Sequence, residues 1–198
     1  LPEARTIDAV RRESPYTFGK ELDIHVPLLW HHDLSSAAYA AMQGGGTEVW
    51  QYTCLQPQFE YLSRLGDYPL SATRLLGWYN FRHHLTGFLH YAWNNYGPCV
   101  NRYDPYTDAC CFGSFPCDAF IVYPDRENLS VLESVRSEAQ RDAFEDYELL
   151  CLAAEKAPDT VRRLVETVVA AADDYVRSPG FILSLRTRLL EIAAGTCA

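Results

Sequence analysis

The chain has 198 residues, 48% of them apolar, and a formal net charge of -9 with acidic and basic residues interspersed. That is room for one ordinary domain and falls short of the about 250 residues of a complete (β/α)8 barrel. Phosphate binding needs a basic face, so a nucleic-acid partner is excluded, and no apolar run reaches the about 20 residues of a membrane span.

The chain starts at Leu1, its only methionine is Met42, and no charged n-region or signal peptide precedes the first elements. It therefore reads as a fragment of a longer protein, and its localisation is not legible. In chain order, TIDAV (6–10) is a short apolar run. LDIHVPLL (22–29) is β-rich and stopped by Pro27. SSAAYAAMQ (35–43) predicts a helix closed by the glycines at 44–46, and EVWQYTC (48–54) predicts a strong strand. From Pro69 a helical run reaches His84, with Leu70, Thr73, Leu76 and Asn80 on one stripe. GFLHYAWNN (87–95) predicts another strand, a Gly-, Pro-, Asp- and Tyr-rich loop runs from Tyr96 to Asp118, and AFIVYP (119–124) predicts one more. Strands alternating with helical crossovers indicate parallel α/β architecture, either barrel or open sheet.

The remainder is helical. Ala143, Tyr147, Leu150 and Ala154 form an apolar stripe, with Arg141, Asp142, Glu145 and Glu148 off it. Pro158 ends that helix, Asp159 is placed to cap TVRRLVETVVAAADDYV, and Pro179-Gly180 breaks the chain before FILSLRTRLLEIA. Four of the seven cysteines (Cys99, Cys110, Cys111, Cys117) fall in the 96–118 loop, which leaves one disulfide there or free thiols as the readings. They lack the paired spacing of a metal site, and no cofactor is expected.

Five strings occur in order: EVWQYTC, SATRLLGWYNFRHHLTGFLHYAWNNY, DPYTD, CDAFIVYPD and SVRSEAQRDAFEDYELL. Together they resemble the C-terminal half of the glycoside hydrolase family 123 catalytic domain, over roughly Thr6 to Leu152. The resemblance implies a half (β/α)8 barrel, with TIDAV, LDIHVP, EVWQYTC and GFLHYAW as strands five to eight. It implies a partial barrel with its post-barrel loop and strand over 1–125, and helices packing on it over 126–198. It further implies a parent enzyme that removes terminal β-linked N-acetylgalactosamine, using the substrate's own acetamido group. The catalytic Asp-Glu pair of that family would stand at the end of the fourth strand, upstream of Leu1, so no catalytic residue is expected in this chain and the chain alone is expected to be inactive. Two positions depart from the family pattern, where Ala143 and Cys117 stand in place of glycines.

Functional side chains in a barrel sit at the C-terminal strand ends. Trp50, Tyr52 and Cys54 share one face by alternation, and Tyr52, nearest the strand end, is retained in the family motif. Trp50 sits earlier, where core packing competes with substrate contact. Tyr91 and Tyr96 stand at family tryptophan positions, and Asn94 keeps the family asparagine; an aromatic face beside an amide suits a pyranose. Asp104 and Asp118 match family acids, with a turn-forming Asp-Pro as the equal reading at 104. His90 is a general base on paper and a satisfied core group by default. Asp23 and His25 alternate onto one face, where a carboxylate–imidazole pair orienting the pocket is conceivable. Arg74, Arg136, Glu138, Arg141, Asp142, Glu145 and Asp146 read mainly as ion pairs fastening helices. The expected partners are a glycan or glycolipid and the remainder of the chain's own barrel. A secreted or periplasmic parent is compatible with the resemblance. The competing reading is a non-catalytic carbohydrate-binding module or pseudoenzyme. Four barrel strands would leave two open edges, so the isolated chain is expected to associate or be poorly soluble.

Overall fold

The computed structural model describes residues 4–12, 14–17, 21–96, 104–110 and 115–196. Cys99 and Cys111 lie outside them.

The parallel strands come first. β1 (Ile7–Val10) pairs with β2 (Ile24–Pro27), and β2 pairs with β3 (Glu48–Val49), all parallel. β4 (Gln51–Thr53) pairs in parallel with β5 (Phe88–His90). Trp50 interrupts the run that the sequence reads as one strand. The register nevertheless carries through the break, because a Leu28–Tyr52 bridge continues the offset of Ile24–Glu48. The two pieces thus form one run of parallel strands that neighbour each other in chain order.

Between the strands lie α1 (Ser14–Thr17), α2 (Leu29–Leu34), α3 (Ser36–Gly44) and α4 (Leu70–Arg82). Pro69 immediately precedes α4, as its fixed φ predicts. Val49, Gln51 and Thr53 are buried, and Gln51 Nε2 donates to Asn80 Oδ1 of α4 at 3.2 Å. Asn80 in turn donates to the Gly87 carbonyl at 3.2 Å, so one buried amide pair seats α4 on the strands. The predicted strand through Asn95 stops at His90. Beyond it, buried Arg64 takes the Ala92 carbonyl, and residues 93–95 pair with 119–121 instead. The chain then forms an antiparallel hairpin, β6 (Val122–Asp125) with β7 (Ser130–Glu133). β7 is fully exposed and has no clear alternation, so the sequence gives little sign of it.

Helix α5 (Val135–Lys156) opens on a reciprocal cap: Ser134 Oγ accepts from Ser137 N at 3.1 Å, and Ser137 Oγ accepts from Ser134 N at 2.9 Å. Helix α6 (Pro158–Val168) starts with Pro158 in its first turn and no side-chain cap, so Asp159 contributes only charge there. The predicted helix to Val176 ends early. Residues 170–174 turn back so that Ala172 N reaches Asp33 Oδ1 at 3.2 Å and the Ala172 carbonyl accepts from Leu62 N at 2.8 Å. Tertiary hydrogen bonds outweigh the local helical preference. The last helix, α7 (Pro179–Ala193), is capped by Ser178.

The helical layer is locked by one carboxylate. Asp146 of α5 is fully buried and accepts from Arg74 Nε at 2.7 Å, Arg74 Nη2 at 3.0 Å and Trp78 Nε1 at 3.0 Å. Arg186 of α7 donates to the same group. Three helices therefore converge on a single charge-assisted network. Close by, α4 and α5 approach so tightly that a Cβ added to Gly77 would lie 1.9 Å from the Ala143 carbonyl oxygen.

A second buried polar cluster joins α2 to α4. Tyr79 Oη donates to Asp33 Oδ1 at 3.1 Å and lies 2.8 Å from His32 Nδ1, so the shared geometry requires the His32 proton on Nδ1. His83 meets His32 edge-on, with ring centroids 5.1 Å apart. Burial, reinforced by the neighbouring His83, drives His32 down to about 3. Burial also brings His83 to about 4, with the Arg82 charge adding to it.

Two outcomes follow. Truncating Asp146 removes the buried carboxylate that Arg74, Trp78 and Arg186 share and leaves Arg74 with Asp142 alone, so Asp146→Ala should lower unfolding stability by about 3 kcal/mol or more. A urea midpoint within 1 M-scale experimental error of wild type would contradict this. The histidines have folded-state pKa values below the unfolded 6.5, so protonation favours the unfolded chain. Their contribution is full above pH 6.5 and declines as pH falls toward 4. The loss from pH 6.5 to 5 should be roughly 3 kcal/mol for the two together. Chemical denaturation at both pH values checks it, and His83→Gln should shallow the slope.

Candidate strand-end surface

The C-terminal ends of the parallel strands carry the predicted site. On β4 the alternation holds: Gln51 and Thr53 are buried, while Tyr52 and, just after it, Cys54 are half-buried on the other face. Burial pushes the Tyr52 phenol above its ordinary value, so it is a hydrogen-bond donor at neutral pH. Burial likewise raises the Cys54 thiol, which keeps it from acting as a thiolate.

Trp50 shares that face one residue pair earlier. Its indole covers Gly87, where an added Cβ would sit 2.1 Å from Trp50 Cδ2, and its Nε1 donates to Glu48 Oε1 at 2.7 Å. Thr86 Oγ1 also donates to Glu48 at 2.6 Å, and Arg5 pairs with it at 2.6 Å. These hydrogen bonds, that of Thr86 foremost, hold the Glu48 carboxyl at about 2.

Past β5, Tyr91 and Trp93 are 60% and 52% exposed, and Asn94 is exposed with them. Their backbone is nonetheless fixed. Asn95 N donates to the Ala119 carbonyl and Ile121 N to the Trp93 carbonyl, both at 2.9 Å, and Asn94 bridges Phe120. Asn95 Nδ2 donates to Tyr91 Oη at 2.6 Å, orienting the ring. The aromatic and amide groups thus stand on an anchored clip of chain and face outward.

Beneath this clip lies a buried polar cluster. His90 has a fully buried side chain; its Nδ1 lies 2.8 Å from Thr53 Oγ1, and its Nε2 lies 2.9 Å from the Asp118 carbonyl and 3.1 Å from Asp118 Oδ1. With Nε2–H donating to Asp118, Nδ1 accepts from the threonine. Desolvation outweighs the pull of Asp118 and lowers the His90 pKa, so the imidazole is neutral at pH 7. Both nitrogens are engaged, and the paper general base is a structural tie. Arg64 donates to the Gln140 side chain at 3.1 Å and to the Ala92 carbonyl. Arg136 donates to the Phe120 carbonyl at 3.1 Å and the Cys117 carbonyl at 3.3 Å, with its guanidinium over the Phe120 ring. Arg64 is 2% exposed in a loop between Ser63 and Leu65; sequence reasoning passed over it, and its apolar neighbours were the one available signal.

The other expected residues sit apart from the exposed trio. Tyr96 donates to the Val122 carbonyl at 3.0 Å and packs its ring on Phe120. Asp104 Oδ1 accepts from Tyr106 N at 3.2 Å, and its carbonyl accepts from Thr107 and Asp108 amides, as a turn-former does. Asp23 Oδ2 accepts from Thr6 N at 2.6 Å and Thr6 Oγ1 at 2.9 Å, which fastens β1's entry to that of β2. Arg74, Asp142, Glu145 and Asp146 make the helix-fastening ion pairs expected of them, and Glu138 pairs with Arg141. A cavity of about 200 Å³ lies between α4, α5 and the start of β5, lined by Asn80, Gly87, Phe88, Gln140 and Tyr147. It does not include Tyr52, which is half-buried, or Tyr91 and Asn94, which are exposed. Among the described residues no three His, Cys, Asp or Glu side chains gather as a metal site. What the strand-end surface offers is stacking faces, amide and phenol hydrogen bonds, and no free acid–base pair.

No curated protein matches this chain. Among solved structures it is similar to a family 123 glycoside hydrolase from Clostridium perfringens, whose published description concerns glycolipid glycan hydrolysis. The TM-score is 0.60 at 19% identity, which is a likeness of fold. The match covers 94% of this chain and 34% of that one, so the chain spans about a third of the relative's length. The family description "Glycoside hydrolase 123, catalytic domain" matches residues 2–153. By that match over most of its length, and by a mixed α/β fold of the same kind, the chain belongs to glycoside hydrolase family 123.

Proposed function

We propose that this chain supplies one wall of a glycosidase pocket, as strands five to eight of a (β/α)8 barrel within 1–125 and supporting helices within 126–198. The observation that carries the reading is the order of the parallel strands. Each neighbours the next in chain order, as in a barrel, with no reversal of the kind that creates a crevice in an open doubly wound sheet. In this reading Tyr52 of β4 and Tyr91 and Asn94, which follow β5, serve the C-terminal end of that surface, where barrel enzymes act.

The substrate we assign is a terminal β-linked N-acetylgalactosamine, or a related N-acetylhexosamine, on a glycan or glycolipid. In the substrate-assisted scheme, the acetamido oxygen attacks the anomeric carbon. A carboxylic acid protonates the departing oxygen, and a neighbouring aspartate orients the acetamido group. Those two groups form an Asp-Glu pair on the preceding strand of the longer protein. This chain's share is binding: Tyr91 and Tyr52 present ring faces and a phenol, and Asn94 presents an amide to sugar hydroxyls. Trp50 and Tyr96 support the surface through Gly87 and Phe120, while Asp104 and Asp118 shape its loops. The remaining barrel strands would pair with the outer edges of β1 and β5.

In the longer protein, Tyr52→Ala and Asn94→Ala should each lower kcat/KM on an aryl N-acetyl-β-galactosaminide by roughly tenfold, with melting unchanged. Equal activity in both variants would sink the assignment of this wall. Sugar binding without turnover by the longer protein would replace the hydrolase reading with a carbohydrate-binding pseudoenzyme.

A further inference from the structure

We propose that Cys110 and Cys117 form a reversible disulfide that staples the loop carrying Asp118 beside the end of β5. Both are free thiols in this structure. The backbone already brings them together, because Cys117 N donates to the Ala109 carbonyl at 2.7 Å. The peptide following that carbonyl leads directly to the Cys110 Cα. Trans-peptide geometry therefore puts the two Cα atoms no more than about 7 Å apart, and closer because the path is bent. A disulfide spans roughly 4.4–6.8 Å between Cα atoms.

The backbone at Cys117 gives a second reason. Its φ is +60°, a left-handed conformation that favours glycine. A link to Cys110 would hold Cys117 in that disfavoured conformation. Its surroundings also suit a staple. Gly66 N donates to the Pro116 carbonyl at 2.8 Å, and a Cβ on Gly66 would lie 2.9 Å from Cys117 Sγ, so the loop is pressed on the segment after β4. Cys117 is 7% exposed, whereas Cys110 is more open, which sets the order of attack.

The oxidant is a small-molecule disulfide. The Cys110 thiolate attacks one of its sulfurs, forming a mixed disulfide and expelling one thiolate. Burial keeps the Cys117 thiol protonated at rest, so it first gives its proton to a base in solution; the resulting thiolate attacks the Cys110 sulfur and expels the second. Two protein thiols and one small disulfide become one protein disulfide and two small thiols, and both protons end on the released thiols or solvent.

The test is oxidation of the intact chain by glutathione disulfide, followed by non-reducing digestion and peptide mass mapping. The expected result is a cross-linked peptide joining Cys110 to Cys117, loss of two reactive thiols, and reversal by dithiothreitol. The oxidised chain should melt a few degrees higher than the reduced one. Cys110→Ser, at the more exposed position, should abolish both the cross-link and the melting shift while the variant stays folded. Cross-links of Cys110 or Cys117 to Cys99 or Cys111, or persistence of all seven free thiols, would overturn the pairing.

Discussion

Asp146 is the charge around which the helical layer is organised. A fully buried carboxylate is costly unless its lone pairs are filled, and here Arg74, Trp78 and Arg186 fill them from α4 and α7. That arrangement fixes α4 against α5, where Gly77 and Ala143 touch backbone to backbone. The position of α4 matters beyond the helices, because Asn80 on its last turns grips Gln51 of β4 and the Gly87 carbonyl. A network with no contact to the strand-end surface therefore sets where β4 and β5 lie, and with them Tyr52 and Tyr91.

A comparable division holds at the strand ends. The groups that face outward, Tyr91, Trp93 and Asn94, are positioned by groups that do not. His90 ties β4 to the Asp118 loop, Arg64 holds the Ala92 carbonyl, and Arg136 gathers carbonyls from the 117–120 segment. Most of these partners are backbone oxygens, so the cations act as fasteners of chain segments. At the centre of that backing both His90 nitrogens are engaged, and burial keeps its imidazole neutral at pH 7. An outward run of aromatics and an amide stands on a backing whose backbone carbonyls Arg64 and Arg136 hold.

Membership of glycoside hydrolase family 123 and the in-order parallel strands support each other. The hairpin of β6 and β7 and the clip between 93–95 and 119–121 are additions outside the parallel surface, and they carry the chain from the strand ends to α5.

The sequence by itself determined the order and type of most elements. Apolar and β-rich runs marked β1, β2, β5 and, as a single strand, β3 with β4; Pro69, Pro158 and Pro179 marked helix boundaries, and the Ala143–Tyr147–Leu150–Ala154 stripe marked α5's packed face. These features are local, a matter of backbone restriction and spacing. Five ordered strings also made the family legible. Tertiary structure alone decided where elements stopped and which charges met. GFLHYAWNN ends as a strand at His90 because Arg64, distant in sequence, captures the carbonyl beyond it. The helix after Asp159 stops at Val168 because Asp33 and Leu62 claim Ala172. His32 of α2 meets His83, at the C-terminal cap of α4, across 51 residues of sequence. Such outcomes depend on hydrogen-bond partners brought from far along the chain, and no local pattern encodes the distance between them.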